Sequence, residues 1–221
     1  MSTFPKLLFT IAIAAVLGLA TADATRADQI VFSNFGPGMT FNTVQSIGVT
    51  GSNISGGQIL AQAFTPSGDF TFSSAQLAMG IIGGPNILQV VLMTSSGGLP
   101  GNIIESITLT SAVAPLTSPG IVLANSALHP PLNAGTQYWL VAFPSNPDTN
   151  MSWPLSLNDF STPVVRGFNS LTGPWFPVLG PSVPRLAFQI NGAPVPEPAT
   201  MLLLGPALAL TALRKRRRKT E

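Results

Sequence analysis

Few residues in this 221-residue chain have side chains that can do chemistry. There is no cysteine and only one histidine, which excludes thiolate catalysis, cysteine-ligated metals and an all-histidine metal site. That histidine, His129, precedes two prolines, a setting typical of a loop residue rather than of a general base. No Gly-x-Ser-x-Gly motif accompanies it. An enzyme would therefore need a polar pocket around His129 or a pair of carboxylates.

Carboxyl groups are also sparse. Glycoside hydrolysis needs two of them roughly 5–10 Å apart, and the candidates in the middle of the chain are Asp69, Glu105, Asp148 and Asp159. We predict Glu105 on the polar face of a strand and the others in loops, so nothing selects a pair. Calcium would need oxygen ligands at regular spacing, which is missing among Asn146, Asp148, Asn150, Asn158 and Asp159. We predict a non-enzymatic protein with no cofactor and no metal site.

Two tryptophans are candidates for ligand binding. Trp153 and Trp175 lie in proline-rich stretches, where exposed rings would offer a platform for sugars. Aromatic side chains of β domains more often fill the core, and Trp139, inside an apolar run, is predicted to be buried. A carbohydrate-binding module therefore remains an alternative that depends on Trp153 or Trp175 facing the surface.

Charge is concentrated at the C-terminus. Six of the ten basic residues form the run RKRRRK at Arg214–Lys219. Between Asp28 and Val195 there are two arginines and five carboxylates, a net charge of −3. Nucleic-acid binding needs a basic surface on the domain itself, so we predict no nucleic-acid partner. A basic run directly after an apolar segment instead indicates a membrane-topology signal.

The N-terminus has the three parts of a secretion signal. Lys6 provides the positive charge, and the apolar stretch at 7–20 follows it. Small residues at cleavage-type spacing come next, with three possible sites, after Ala22, Ala24 or Ala27. Cleavage after Ala27 is favoured because a strand-like segment starts just behind it.

The C-terminal segment has an ordered set of features. Val195, Pro196, Glu197 and Pro198 precede an apolar stretch at 199–213, which ends at the basic run Arg214, Lys215, Arg216, Arg217, Arg218 and Lys219. Fifteen helical residues span about 22 Å, short of a hydrocarbon core of about 30 Å. Arginine and lysine side chains at the end can lengthen the effective span. The pattern predicts a short membrane helix with a cytoplasmic basic end.

This arrangement resembles the PEP-CTERM sorting tail of Gram-negative bacteria, in which Pro-Glu-Pro, a short apolar helix and an arginine-rich end occur in this order. The resemblance covers about 25 residues. It implies recognition by an exosortase, a membrane transpeptidase-like enzyme, with Glu197 as the recognised acid. It also implies transfer from the inner membrane to the outer surface or matrix, often together with exopolysaccharide.

The middle of the chain is predicted to be all-β. Apolar residues alternate with polar ones in several segments and run continuously at Ile87–Met93 and Tyr138–Phe143. Turn signals rich in Gly, Pro, Asn and Ser separate them. This spacing predicts an antiparallel β-sandwich or jelly-roll-like domain. Because prolines crowd 144–184, that part is expected to have more loops and short edge strands.

The same region resembles the choice-of-anchor family of bacterial surface domains, most closely its R type. The resemblance rests on Ala61–Phe64, Phe70–Leu77, Gly97–Gly101, Leu132–Val141, Trp153 and the closing Ala187–Gly192. It implies an exported β domain fused to a surface anchor, without an assigned activity.

Together these observations predict an exported surface or matrix protein with three parts. These are a signal peptide at 1–27, a β domain at 28–193 and a sorting tail at 194–221, with the motif at 195–200, the membrane helix at 199–213 and the basic terminus at 214–219. The expected partners are an exosortase, the membrane and exopolysaccharide. A tail that is never cut would instead make the chain a permanently anchored single-pass membrane protein.

Overall fold

The segments with alternating apolar residues form strands. The computed structural model describes residues 27–157, 159, 164–178 and 184–195. Residues Ala27–Pro194 form one compact unit. Its strands are β1 Gln29–Ser33, β2 Ser46–Thr50, β3 Gln58–Phe64, β4 Phe70–Gly83, β5 Ile87–Ser96, β6 Leu99–Thr110, β7 Gly120–Asn125, β8 Pro131–Leu132, β9 Tyr138–Pro144, β10 Asn150–Pro154, β11 Val164–Phe168, β12 Phe176–Pro177 and β13 Phe188–Pro194. The only helical element within the described ranges is one 3-10 turn, Pro37–Met39.

The strands form two antiparallel sheets. A seven-stranded sheet has the order β1-β13-β4-β10-β2, with β7 and β8 also pairing with β4. Ala75 of β4 pairs with Ile190 of β13 and with Ala124 of β7, so β7 lies on the edge of β4 opposite to β13. The six-stranded sheet has the order β12-β11-β3-β9-β5-β6.

One hydrophobic core joins the two sheets. Phe64 of β3 meets Phe188 of β13 edge-to-face, with ring centroids 6.2 Å apart, and Phe188 meets Trp153 of β10 in the same way. Alternate residues of the facing strands, such as Leu77 and Leu140, are fully buried in this core. The described part of the chain is therefore all-β and antiparallel, consistent with the predicted β-sandwich.

The alternation of inward-facing and outward-facing side chains changes phase within β4. Phe72 points into the core, and so does Ala75, although an odd separation would place them on opposite faces of a regular strand. Pairing with β13 skips Ser73 at this point, as expected for a β-bulge. The extra residue re-aims the strand, so that Ala75, Leu77 and Met79 all face the core.

Turns rich in glycine and asparagine connect neighbouring strands, as the turn signals indicate. Gly97 and Gly98 link β5 to β6 with φ values of 60° and 79°, a left-handed pair typical of a two-residue hairpin. The strand resumes at Leu99, so Pro100 lies inside β6 rather than in the turn. Asn133 and Gly135 lie in the turn before β9.

The expectation of short edge strands between 144 and 184 is wrong for β10 and for β11, which pairs with both β3 and β12. Strand β10 hydrogen-bonds to β2 on one side and to β4 on the other. Pro154 is its last residue, so the missing proline N–H does not interrupt the ladder.

The terminal segments lie outside the described residues. This holds for the signal peptide as far as residue 26 and for the tail from Pro196 onward. Within the part of the chain that the structure describes, no helix is long and apolar enough to cross a membrane.

Candidate functional site

A groove of about 680 Å³ opens beside the six-stranded sheet. The loop between β2 and β3, the loop after β9 and the loop after β11 form its walls. Strands β3, β5, β6 and β9 contribute Ile59, Gln89, Ser106 and Phe143. Its volume lies in the range of small-molecule and cofactor sites, roughly 300–1,000 Å³. It is therefore the candidate site.

The floor of the groove belongs to a second hydrophobic cluster on the outer face of this sheet. Leu60 and Phe64 point into the main core, whereas the alternate residues Ile59 and Ala61 point the other way. Phe143 and Leu171 pack against this outer cluster and also line the groove. The groove therefore has an apolar floor, and half-buried Phe143 is the one aromatic side chain among the described residues that line it.

Hydrogen bonds hold the β2–β3 loop against the loop after β9. The amide of Gly51 donates to the Thr149 carbonyl at 2.8 Å, and the amide of Asn53 donates to the Pro147 carbonyl at 3.0 Å. The Asn53 side chain adds a bond to Asp148 Oδ1 at 2.7 Å. This side of the groove is fixed at three points.

The same loop is tied to the loop after β11. The Asn169 amide donates to the Gly57 carbonyl at 3.0 Å. Gly57 has φ +73°, and a Cβ there would collide with the Asn169 side chain. A Cβ on Gly51 would collide with the carbonyl oxygens of Asn146 and Pro147. These two glycines allow the three loops to approach closely, so the groove is shaped before any ligand arrives.

The polar rim carries amides and hydroxyls. Gln89 Nε2 donates to Thr108 Oγ1 at 2.8 Å, and Ser106 Oγ donates to Gln89 Oε1 at 3.3 Å. The hydroxyls of Ser52 and Ser145 are exposed and make no hydrogen bond within the described ranges. None of the described residues that line the groove is charged.

Trp153 is buried, so the loop position predicted for it is wrong and it cannot provide the exposed ring that the carbohydrate-binding alternative needs. The residue belongs to β10, not to a loop, and its exposed fraction is 0%. Its Nε1 donates to the Ala187 carbonyl at 2.9 Å. The strand places the ring on the inner face, where the main core surrounds it.

Trp175 is half-buried and lies apart from Trp153. It packs against the outer cluster, beside Gly167 of β11, and its Nε1 is buried without a hydrogen-bond partner. The two tryptophans lie in different clusters, so they do not form one platform. Trp139 is fully buried, as predicted.

Glu105 is buried at 4% exposure, so its predicted place on a polar strand face is wrong. Its Oε2 accepts the Ser126 hydroxyl at 2.6 Å, and its Oε1 accepts the amides of Ala127 and Leu128 at 2.7 and 3.1 Å. Burial alone would raise the pKa of Glu105, but these bonds and the charge of His129 together lower it. This carboxylate holds the 126–129 turn.

The remaining candidate groups are also engaged in local structure. His129 Nδ1 lies 3.2 Å from the Phe72 carbonyl, and its amide donates to Ser126 Oγ. Asp69 accepts the Ala134 amide at 2.8 Å, and Asp159 accepts the Asn34 side chain at 3.1 Å. Among the described residues, no three His, Asp or Glu side chains come together as a metal site would require.

Of the predicted sorting residues, Val195 alone lies within the described ranges. It is the last described residue and is 44% exposed. Pro196, Glu197 and Pro198 lie outside the described residues, as do the basic residues Arg214, Lys215, Arg216, Arg217, Arg218 and Lys219.

A scan against protein-family models finds no match to this chain, and a search of curated protein sequences finds none either.

Proposed function

We propose that this chain is an exported, non-catalytic surface protein of a Gram-negative bacterium. In this proposal a signal peptide delivers it across the inner membrane, and an exosortase recognises the motif around Glu197. The tail anchors it transiently before it reaches the outer surface or the extracellular matrix. Association with exopolysaccharide is part of the proposal.

The pairing of the first and last strands is the observation that carries this proposal. Gln29, at the start of β1, pairs with Gly192, near the end of β13. The chain therefore enters and leaves the domain at the same end of one sheet. A domain whose two chain ends lie together can be held at a membrane from that end while its opposite end stays free. The exposed Val195, the first residue of the predicted motif, directly follows β13.

Glu105 and His129 make local contacts within the domain, which supports a non-catalytic role. Glu105 uses both of its oxygens to hold a turn, and His129 contacts the Phe72 carbonyl. A general acid or base must instead reach a substrate within hydrogen-bond distance.

Replacing Glu197 with alanine is expected to block release of the protein from the inner membrane. Glu197 lies between two prolines, and the residue before a proline is biased toward extended backbone, which presents the acid to a membrane enzyme. Fractionation of an exosortase-positive host should find the variant in the inner membrane and the wild type outside. Glu221→Ala, at the other end of the tail, is the matched control and should be released normally. Release of Glu197→Ala at the wild-type rate would instead favour a permanent anchor.

Sequencing the N-terminus of the exported protein should show a start at Asp23, Thr25 or Asp28. The start at Asp28 is favoured because Ser73 Oγ donates to Asp28 Oδ1 at 2.8 Å, directly before β1. That carboxylate already belongs to the domain, so a chain that starts at Asp28 keeps this contact. Exported protein that keeps residues 7–20 would contradict the signal-peptide assignment.

A further inference from the structure

We infer that the groove beside the six-stranded sheet binds a segment of a neutral polysaccharide. The inference deepens the proposed function, because it rests on surface display for its setting and names the ligand class. The binding site then consists of the three loops and Phe143, and not of Trp153 and Trp175, which the sequence suggested as ligand-facing residues.

The described lining of the groove carries no charged side chain, which favours a neutral ligand. Its polar lining consists of hydroxyl and amide side chains alone, from Thr50, Ser52, Gln89, Ser106, Ser145, Asn146, Asn169 and Ser170. A uronic-acid polymer or an acidic peptide would lose hydration on entering and find no cation in return. Hydroxyl and amide groups both donate and accept, which matches the hydroxyl groups of a sugar.

The floor provides the apolar contact that a sugar ring requires. Phe143 is partly exposed and lines the groove together with Ile59 and Leu171. One face of a pyranose carries mainly C–H groups, and such a face can pack on an aromatic ring while its hydroxyls point to the rim. An apolar floor with a few directed polar groups is the usual composition of a small-molecule site.

Extended peptides fit the groove less well. Peptides commonly bind sheets by adding a strand to a free edge. The floor strands β3, β5 and β9 are each paired on both sides. A peptide therefore finds no free backbone groups on these three strands and has only the edge of β6, at the rim, to add to, whereas a sugar needs only side chains.

The rim indicates a polymer rather than a single sugar. Ser106 and Thr108 lie exposed on the edge strand β6 and hold the Gln89 amide in place. They extend the polar surface beyond the groove along the strand, where further sugar units can lie. The walls are already fixed by hydrogen bonds between loops, so binding costs little loop ordering.

The test is a titration of the full chain, purified in a detergent without a sugar head group, with cellohexaose, maltohexaose and mannohexaose. Alginate hexamer serves as the anionic probe and a neutral polar hexapeptide as the peptide probe. We expect measurable heat with at least one neutral hexasaccharide and none with alginate or the peptide. Failure of all three neutral probes, or tighter binding of alginate or the peptide, would overturn the inference.

Two variants locate the binding. The double variant Ser52→Ala/Ser145→Ala removes two hydroxyls that have no partner within the described residues, and should weaken binding about tenfold. Phe143→Leu keeps an apolar side chain but removes the ring, and should also weaken binding severalfold. The matched control is Ser67→Ala/Ser118→Ala, which changes two exposed serines outside the groove lining. Equal affinity of the groove and control variants would place the ligand elsewhere and overturn the inference.

This titration is independent of sorting. It uses purified protein and needs no exosortase, so a negative result leaves the Glu197 experiment unaffected. Normal processing with no sugar binding would reject the groove inference alone, and the reverse pattern would reject the sorting proposal alone.

Discussion

Replacing Trp153 with alanine is expected to lower the free energy of unfolding by about 3–5 kcal/mol, as for other buried aromatic side chains. The side chain has no exposed surface, and its ring meets that of Phe188 edge-to-face. It belongs to a strand paired on both sides, so the cavity cannot close by moving a loop. Domains of this size are typically stable by about 5–15 kcal/mol, and urea denaturation followed by circular dichroism would measure the loss.

Two other variants separate packing from hydrogen bonding. Trp153→Phe keeps an aromatic ring but loses the bond to the Ala187 carbonyl. That carbonyl still accepts the Ala78 amide at 3.1 Å, so we expect a cost of about 1–2 kcal/mol. Trp175→Ala, at a half-buried position, should cost less than Trp153→Ala. Equal losses at the two tryptophans would contradict the central place of Trp153 in the core.

The all-β fold could be predicted because its signals are local. The alternation in β4 and β13 and the continuous apolar runs of β5 and β9 each depend only on neighbouring residues. Trp153 was misplaced because nearby prolines suggested a loop. Pro154 ends the strand without interrupting it, and the pairing of β10 with β2 and β4 joins residues far apart in the chain.

Glu105 could have been placed correctly from the sequence. It has the same parity as Ile107 and Leu109, whose alternation points to the core. Its charge suggested the polar face instead. The partners that make burial tolerable, Ser126 and the amides of the turn, lie more than 20 residues away along the chain. The sequence therefore indicates which face of β6 carries Glu105, but it does not show which groups donate hydrogen bonds to the carboxylate.

The groove could not be predicted from local signals, because no single segment of the chain forms it. Its walls come from the loops at 51–57, 144–147 and 169–171, which only the strand order brings together. A local signal exists in retrospect. Each of these loops carries serine or asparagine, and Phe143 ends an otherwise buried apolar run. Without the sheet order, these polar loops look like any other solvated turns.

Acid is expected to destabilise the domain through Glu105. The ordinary pKa of a glutamate is about 4.3. Burial acts to raise the pKa of Glu105 in the folded protein, but the hydrogen bonds from Ser126, Ala127 and Leu128, together with the charge of His129, outweigh burial and lower it. The folded state therefore binds the proton less tightly than the unfolded state. The stabilising contribution is fully present above about pH 4.3 and is lost as the pH falls through the lowered folded value.

Replacing Glu105 with glutamine tests this directly. The amide keeps the size of the side chain but lacks the charge and one acceptor, so it should cost about 1–3 kcal/mol at pH 7. More specifically, the difference in unfolding free energy between wild type and variant should shrink as the pH falls below about 4, because protonation removes the same charge from the wild type. Asp69→Asn is the matched control, since Asp69 is exposed and accepts one amide, and it should change stability by less than about 1 kcal/mol. A stability difference for Glu105→Gln that stays constant from pH 7 to pH 3 would show that the charge of Glu105 does not hold the turn.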